Sequence, residues 1–406
     1  MTSRQTEAHP LYLLTATLLF LLFFPSCKEE SPTLWNKSNS LKSVTSPPIC
    51  DRGEAAPLLR AIDYSLKYLS TGKTEETIQM GERHIPLAYL AATLEDFKDR
   101  LQRDGLGPKL FQYLRDHYEF YSPPVESALI TGYYEAQLNG SKKPSPKYAH
   151  PIYRTPRDMI KIDLSKFYFF PAHEGLPPLL RGRLSNDGRI RPYYTREEID
   201  ALGCLRGRGL ELLWIDNPVD LFFLHVQGSG VVVFEDGGRQ RIGYDGSNGH
   251  PYRAIGRVLI ERGVLTYQNM SMQSIRKYLR RHPEEMQGLF NENPSYIFFR
   301  FQPTGPLGST DVPVTPFRSV ATDPRLFPPG ALCYLRTELP LPDSDGGDGE
   351  PYSEEFCGFV LNQDSGGAIR GPARLDLFTG VGPRSEWIAG HMKQRGTFYF
   401  LIKKAN

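Results

Sequence analysis

The stretch Asp364–Asp376 constrains the fold more than any other, because two carboxylates flank residues that cannot form one regular element. Three glycines and a proline lie between them, so the chain must turn and come back. The following residues, Arg374–Phe378, alternate polar and apolar side chains, which is typical of a strand with one buried face. Arg374 and Asp376 are therefore expected on the same strand face, beside a glycine-rich bend. Aspartates are usually exposed turn or surface residues, and that simpler interpretation stays open at this point.

The first 27 residues are predicted to be a signal peptide and not part of the fold. The apolar run 11–24 is too short to span a bilayer comfortably and suits the core of a signal peptide. Ser26 before Cys27, followed by charged residues, is typical of a bacterial lipoprotein and predicts lipidation of Cys27. A plain signal peptide or an uncleaved anchor is the alternative. Residues 28–53 are rich in Ser, Pro, Lys and Asn and are predicted to be a tether.

Charge and cysteine usage argue against several classes of function. The net charge of +2 over 406 residues gives no support for nucleic-acid binding. The region 364–406 has seven Lys/Arg against three acidic residues, a net of +4, which suits an anionic polymer. No CxxC or HxxxH spacing occurs, so neither a metal nor a cofactor is expected. Cys333 and Cys357 lie in two strand-like runs, where a disulfide and two buried free thiols are equally open.

Helical periodicity dominates the start of the globular region, and β-patterns dominate the rest. Apolar residues recur at helical spacing in three segments, 58–69, 87–101 and 110–114, which predicts core-packing helices. The run Ser127–Gln137 predicts a strand on which Tyr133 and Tyr134 point to opposite faces, so that the ring of at least one can stack against a sugar. A half-buried strand with tyrosines at its rim explains the same residues equally well.

Polar residues follow an apolar run at Leu221–Gly230. We predict a strand that ends in a glycine-flanked tip, where the Gln227 and Ser229 side chains can bond hydroxyls or amides. Ordinary turn chemistry is the alternative for both. A hairpin is expected around the Gly237-Gly238 turn. Two more helices are expected at 254–260 and 273–281, and another strand at 296–301.

Four motifs and the two-aspartate stretch together resemble the membrane-bound lytic murein transglycosylase A family. In chain order the motifs are Thr131-Gly-Tyr-Tyr-Glu135, His225-Val-Gln-Gly-Ser-Gly230, Gly243-Tyr-Asp-Gly-Ser-Asn-Gly-His-Pro-Tyr252 and Arg318-Ser-Val-Ala-Thr-Asp323. The stretch Asp364–Asp376 resembles the centre of that family's C-terminal domain, which is named for three aspartates. The resemblance extends over roughly residues 125–400.

The resemblance implies a mainly β fold with N-terminal helices. It consists of a double-psi β-barrel interrupted by a second β-domain, with a groove for the glycan between them. We expect the barrel at 54–136 plus 250–406, with the three-aspartate region at about 305–405, and the inserted β-domain at 137–249. The acidic stretch 338–355 is longer than the family pattern and is expected to alter a loop and not the chemistry.

The resemblance also implies Asp376 as the catalytic residue, with Asp364 and Asp323 as the family's other two aspartates. The implied substrate-binding residues are Thr131, Tyr133, Gln227, Ser229 and Arg374. The implied reaction is exolytic cleavage of the β-1,4 bond between N-acetylmuramic acid and N-acetylglucosamine without water, which leaves a 1,6-anhydro end. One carboxyl then acts as acid and as base, and burial or the charge of Asp364 must raise its pKa.

Two other functions stay open. The first is an inverting glycoside hydrolase on the same barrel, in which Asp364 or Asp323 activates water. The second is a non-catalytic wall-binding module of expansin type. Lipidation at Cys27 places the protein on the periplasmic side of the outer membrane, with secretion or inner-membrane retention as alternatives. The expected partners are peptidoglycan strands, the membrane through the anchor, and other cell-wall enzymes, but no nucleic acid.

Overall fold

The computed structural model describes residues 41–71, 77–167, 179–341 and 352–405. Within these ranges the chain is mainly β with some helices, as predicted. The signal peptide, the lipidation residue Cys27 and residues 28–40 of the predicted tether lie outside the described residues. No helix of the described ranges is long and apolar enough to cross a membrane.

The three N-terminal helices form where apolar periodicity predicted them. They are α1 (Ala55–Leu69), α2 (Leu87–Asp104) and α3 (Pro108–His117). Proline at the first position of α3 costs nothing there, because that N–H has no partner inside a helix. The other helices are α4 (Pro218–Gln227), α5 (Ile255–Glu261), α6 (Met272–Arg281), α7 (Met286–Asn291) and α8 (Pro383–His391).

Eighteen strands are found in the described ranges. Before the chain's midpoint they are β1 (Lys42–Val44), β2 (Thr77–Met80), β3 (Arg83–Pro86), β4 (Tyr118–Ser122), β5 (Ala128–Ser141), β6 (His150–Tyr153), β7 (Ile160–Asp163), β8 (Leu179–Leu184) and β9 (Ile190–Pro192). After it they are β10 (Glu211–Ile215), β11 (Ser229–Val233), β12 (Arg239–Ser247), β13 (Ile297–Phe301), β14 (Ser319–Ala321), β15 (Leu332–Leu341), β16 (Tyr352–Asp364), β17 (Arg374–Val381) and β18 (Lys393–Lys403).

Strand β5 connects the two halves of the large sheet. Its first half pairs in parallel with β17 and antiparallel with β18. Its second half pairs in parallel with β11, which forms the predicted hairpin with β12. The short strand β14 lies between β16 and β17. A side chain on β5 can therefore contact residues that are more than two hundred positions away in sequence.

Two large apolar clusters lie on either side of this connection. The first packs α1–α3 against β15, β16, β17 and β18, with an edge contact of 5.0 Å between the ring centroids of Phe97 and Phe359. The second packs α4–α7 against β11–β13 and the second half of β5, with Phe222 stacked on Phe290 at 4.5 Å. Both clusters bury apolar side chains that recur in the sequence with the period of a helix or a strand.

Residues 41–53 are packed against the folded body, so the tether prediction is wrong for them. Leu41 is only 1% exposed, and β1 pairs with β4. Asp51 forms an ion pair with Arg318 at 2.6 Å. The segment has the composition of a tether, and the contacts that hold it in place involve residues far away in sequence, which a local pattern does not reveal.

The cysteine pairing also differs from both alternatives. Cys357 forms a disulfide with Cys50, while Cys333 is a buried free thiol on β15. Strand register shows why Cys333 and Cys357 do not pair, because Cys333 lies opposite Val360 and Cys357 lies opposite Arg336. The prediction omitted Cys50 because it had been assigned to the tether.

The run before Gln227 is a helix, so the predicted strand is wrong. Asn217 caps the N-terminus of α4, its side chain accepting from Val219 N at 2.9 Å, and Pro218 follows it. Gly228 ends the helix at φ +79°, a conformation that favours glycine. Because five successive residues, Leu221–His225, are all buried, the apolar run inside α4 carries no clear helical period.

Candidate active site

Strand register brings two of the three aspartates into one row. Ala321 of β14 lies opposite Asp364 of β16 on one side and opposite Asp376 of β17 on the other. Asp376 in turn lies opposite Thr131 of β5, which lies opposite Lys393 of β18. With strands about 4.8 Å apart, the Cα atoms of the two aspartates are separated by about 10 Å. The single side chain between them in this row is the methyl group of Ala321.

Asp376 is held by a short hydrogen bond in a buried position. The Thr131 hydroxyl donates to Asp376 Oδ1 at 2.6 Å, and an Arg374 Nη2 donates to Thr131 Oγ1 at 3.3 Å. Burial raises the pKa of Asp376, while the Thr131 bond and the Arg374 charge oppose that rise. This carboxyl therefore keeps its proton to a higher pH than an ordinary aspartate. Of the residues predicted to bind substrate, Thr131 contacts the candidate acid directly, and Arg374 contacts Thr131.

Asp364 is held by backbone N–H groups. Its Oδ1 accepts from Ser309 N at 2.9 Å and from Ser365 N at 2.7 Å. Burial raises the pKa of Asp364 to about 6 against these two donors, and the charge of Asp376 adds a smaller upward effect. Of the two causes predicted for a raised pKa of Asp376, burial or the charge of Asp364, burial is the principal one, as it is for the pKa of Asp364.

The Tyr133 side chain lies beside Asp364 at one end of the row. Its ring packs on Phe378 with the centroids 5.1 Å apart, and its hydroxyl is buried without a hydrogen bond of good geometry to any described residue. Burial and the neighbouring Asp364 raise the pKa of this phenol well above its ordinary value. Tyr133 therefore offers a proton donor, and not a phenolate, to whatever lies beside Asp364.

Asp323 has different surroundings from the other two aspartates. Its carboxylate is fully buried and pairs with Arg325 at 2.6 Å. Its Oδ2 also accepts from Gly371 N at 2.9 Å, within the glycine-rich bend. Burial alone would raise the pKa of Asp323, but Arg325 and two backbone N–H groups lower it on balance. These contacts suit an ionised carboxylate that fastens the bend.

Gln227 and Ser229 flank the second half of β5. Gln227 Oε1 accepts from Tyr134 N at 3.0 Å, which fixes the end of α4 beside Tyr133. Ser229 opens β11 and lies half-buried opposite Gly243. The structure therefore places Gln227 near the row through a backbone contact.

Sequence reasoning missed Tyr252 as a residue of this site. The residue as a whole is 37% exposed. Burial raises the pKa of Tyr252, and the hydroxyl senses the charges of Arg196, Arg374 and Asp376. The available signal was its position at the end of the motif Gly243–Tyr252.

One group in the described part of the chain has the residue types of a metal site. It consists of His282, Glu284 and Glu285, whose ligand atoms lie within 4.8 Å of one another. Both glutamates are exposed, and Glu285 already accepts a hydrogen bond from Tyr278 at 2.7 Å. This group follows α6 and contributes no residue to the row of aspartates.

Family models match most of the region that contains this row. A model described as the MltA specific insert domain matches residues 129–300, and one described as the 3D domain matches residues 318–402. Membrane-bound lytic murein transglycosylase A of Vibrio cholerae is 31% identical over 393 residues, which cover 96% of this chain and 94% of that relative. The protein of the same name from Escherichia coli is 34% identical over 275 residues, 67% of this chain and 65% of that relative.

Solved structures show the same similarity. A membrane-bound lytic murein transglycosylase from Agrobacterium tumefaciens matches with a TM-score of 0.72 and 34% identity, over 90% of this chain and 98% of that chain. E. coli MltA with bound chitohexaose matches with a TM-score of 0.64 and 24% identity, over 94% of this chain and 100% of that chain. The second likeness concerns the fold alone.

Proposed function

This chain belongs to the membrane-bound lytic murein transglycosylase A family, and from that premise we propose how it cleaves its substrate. It is a lytic transglycosylase, an enzyme that acts on peptidoglycan. We propose that it cleaves the β-1,4 bond between N-acetylmuramic acid and N-acetylglucosamine from strand ends, without water, and leaves a 1,6-anhydro end. The observation that carries the proposal is the buried Asp376, whose pKa is raised and which Thr131 holds at 2.6 Å.

One carboxyl completes the reaction in two proton transfers. Protonated Asp376 gives its proton to the glycosidic oxygen as the bond from that oxygen to the anomeric carbon breaks. The resulting carboxylate then takes the proton of the C6 hydroxyl as that oxygen bonds to the same carbon. The acid is regenerated and no water is consumed. Acid–base help of this kind contributes about 10²–10⁴-fold in rate.

The neighbours of Asp376 orient and tune it. Because Arg374 donates to Thr131 Oγ1, the Thr131 hydroxyl hydrogen is directed at Asp376 Oδ1. Oδ2 is then left for the glycosidic oxygen. Asp364, with its pKa raised to about 6, is mostly ionised at neutral pH and can stabilise the positive charge that develops on the sugar. Tyr133, Gln227 and Ser229 lie where they can bind the glycan.

An inverting hydrolase is the second candidate, because Asp364 and Asp376 lie in one row with Cα atoms about 10 Å apart. Inverting enzymes need about 6.5–9.5 Å between their two carboxyl groups to admit a water, a separation that side chains on strands this far apart can adopt. Its product would carry a reducing end in place of an anhydro end. The mass of the released sugar therefore separates the two reactions.

We interpret the strands around the row as the double-psi β-barrel. Pairings lead from β18 through β15, β16, β14 and β17 to β5, which pairs with β18 again. The inserted β-domain then extends over about residues 137–249, and the glycan groove lies where β5 passes between the two. E. coli MltA, a structure of which holds chitohexaose, supports a groove of this kind here.

We also propose membrane attachment through lipid on Cys27, on the periplasmic side of the outer membrane. The names of the relatives support membrane association. A lipoprotein's several acyl chains bind a bilayer firmly, whereas one chain binds only marginally. Lipid labelling should be lost in Cys27→Ala, and labelling that persists would refute attachment at this residue.

The chemical test is Asp376→Asn with purified murein as substrate. Asparagine keeps the size of the side chain and accepts the Thr131 bond, but it cannot donate an acidic proton or take one back. Activity should fall by at least about 100-fold while binding to insoluble murein survives. Asp99→Asn, at an exposed position of α2, is the matched control and should keep full activity.

Two results would contradict the proposal separately. A reducing-end product from the wild-type enzyme would exclude the anhydro-forming reaction. Near-normal turnover by Asp376→Asn would leave the reaction in place and remove Asp376 from its role.

A further inference from the structure

The far end of strand β5 borders a cavity. Alternate residues of a strand share a face, so Thr131, Tyr133, Glu135 and Gln137 project to the same side. Gln137 lies about 20 Å along the strand from Thr131. At that end is a cavity of about 340 Å³, whose lining includes Gln137, Arg239, Arg241 and Gln302. We call it the distal pocket.

The distal pocket has a surplus of positive charge. Arg241 pairs with Glu135, Nε to Oε1, at 3.2 Å. Glu135 is 1% exposed, and its Oε2 has no hydrogen-bond partner in the described chain. Arg239 is exposed and has no carboxylate within salt-bridge distance among the described residues. Two guanidinium groups against one carboxylate leave the pocket cationic.

Gln302 adds an amide to the same lining. Its side chain is only 6% exposed, and its Oε1 has no hydrogen-bond partner among the residues described. It packs over Gly243, where an added Cβ would lie 2.1 Å from Gln302 Nε2, so a larger residue there would displace the amide. Rotation of the terminal amide presents either its NH₂ group or its oxygen to a ligand. An amide without a protein partner here suits a ligand with amide groups.

We propose that the distal pocket binds a carboxylate carried on a muramic acid residue several sugars away from the bond that is cleaved. This inference rests on the proposed function. An exposed guanidinium can hold a carboxylate through two parallel hydrogen bonds. The glycan would follow β5 from Asp376 and bring a side group of the strand to Arg239, while Gln302 bonds an amide of that group.

The carboxylate has two sources in murein. One is the peptide stem, and the other is the lactyl group that becomes a free carboxylate when an amidase removes the stem. Three soluble glycan substrates separate them: strands with stems, strands whose stem carboxyls have been converted to amides, and amidase-stripped strands. The amides of Gln137 and Gln302 favour the stem, which carries peptide bonds as well as carboxylates.

The test variant is Arg239→Gln, which removes charge from an exposed position without breaking an ion pair. Its matched control is Arg60→Gln, an exposed arginine on α1. We expect KM for stem-bearing strands to rise about three- to tenfold with kcat unchanged, because a half-exposed charge contact is lost. KM for amide-converted strands should not change. The rise should shrink at high salt because salt screens the contact.

Each outcome decides the proposal. A KM increase on stem-bearing strands alone assigns the stem, and an increase on stripped strands alone assigns the lactyl carboxylate. An equal increase on all three substrates, or none on any, overturns the proposal. Gln302→Leu provides a second readout and should weaken binding of stem-bearing strands without altering the anhydro product. Failure of the proposed function would show instead as a wild-type product without an anhydro end.

Discussion

Three aspartates of one chain differ because their partners differ. Asp376 lies buried against a single hydroxyl, so its pKa rises. Asp364 accepts two backbone N–H groups, yet burial still raises its pKa to about 6. Asp323 lies against the Arg325 guanidinium, and its pKa falls on balance. Sequence pattern and family resemblance grouped these residues, but their local partners separate a proton donor from a structural anion.

The pKa of Asp364 predicts how Asp364→Asn changes stability with pH. Because its folded pKa, about 6, lies above the ordinary value of 3.8, its favourable contribution is complete below about pH 4 and is lost as pH rises through 6. Asparagine keeps the Oδ1 acceptor and lacks the charge. The variant should match the wild type near pH 4 and exceed it at pH 8 by at most about 3 kcal/mol in free energy of unfolding. Urea unfolding at both pH values measures this difference.

Asp323→Asn is the control with the opposite sign. A lowered pKa contributes stability above the unfolded value and loses it as pH falls, so this variant should be less stable than the wild type at pH 8. The difference in free energy of unfolding between this variant and the wild type should disappear at acidic pH. The interpretation is wrong if the stability difference between Asp364→Asn and the wild type is the same at every pH. It is also wrong if that difference has the sign found for Asp323→Asn. Either result would show that burial does not raise the pKa of Asp364.

At the scale of elements, the shortest strand of the site depends on a distant segment. β14 has three residues and separates Asp364 from Asp376. Arg318, directly before it, donates to both oxygens of Asp51 at 2.6 and 2.9 Å and to Phe359 O at 2.9 Å. The side chains of Arg318 and Asp51 are 5% and 1% exposed. Asp51, 267 positions earlier in the chain than Arg318, therefore helps to fix the strand between the two carboxylates.

Local signals predicted the elements whose contacts are local. Helices α1–α3 and the β11–β12 hairpin carry their period or turn within a few residues, and each was found in place. Helix α4 was mistaken for a strand because its buried run Leu221–His225 hides the alternation of polar and apolar positions that marks a helix. Asp51 and Cys50 were assigned to a tether because their partners lie more than 250 residues later.

The Asp51–Arg318 pair predicts a large loss in Asp51→Ala. The variant leaves a buried guanidinium without its carboxylate, which should lower the free energy of unfolding by about 3 kcal/mol. Arg52→Ala breaks the neighbouring exposed pair with Glu355, whose side chains are 67% and 44% exposed, and should cost less than about 1 kcal/mol. Similar losses for the two variants in urea titrations would show that burial does not distinguish these pairs.

At the scale of the whole molecule, the site is assembled from residues that are close only in the folded chain. Thr131 and Asp376 lie 245 positions apart and share a hydrogen bond of 2.6 Å. No local pattern predicts that contact, and the family resemblance alone placed both residues at one site. Neither a local pattern nor the family resemblance predicted the distal pocket. Arg239 begins β12 and Gln302 follows β13, and neither residue belongs to a recognisable chemical motif. Parallel pairing of β5 with β17 and β11 brings these distant segments together.

The Cys50–Cys357 disulfide fastens this assembly across a separation of 307 residues. A cross-link over so long a loop restricts the unfolded chain strongly, so Cys50→Ser combined with Cys357→Ser should lose about 2–5 kcal/mol of unfolding free energy. Reductant should lower the melting temperature of the wild type toward that of the double variant and leave the variant unchanged. Cys204→Ser, at a free thiol, is the control and should melt like the wild type. A wild type that melts identically with and without reductant, under conditions where thiol titration shows the bond is broken, would show that the contacts of residues 41–53 hold the segment without the cross-link.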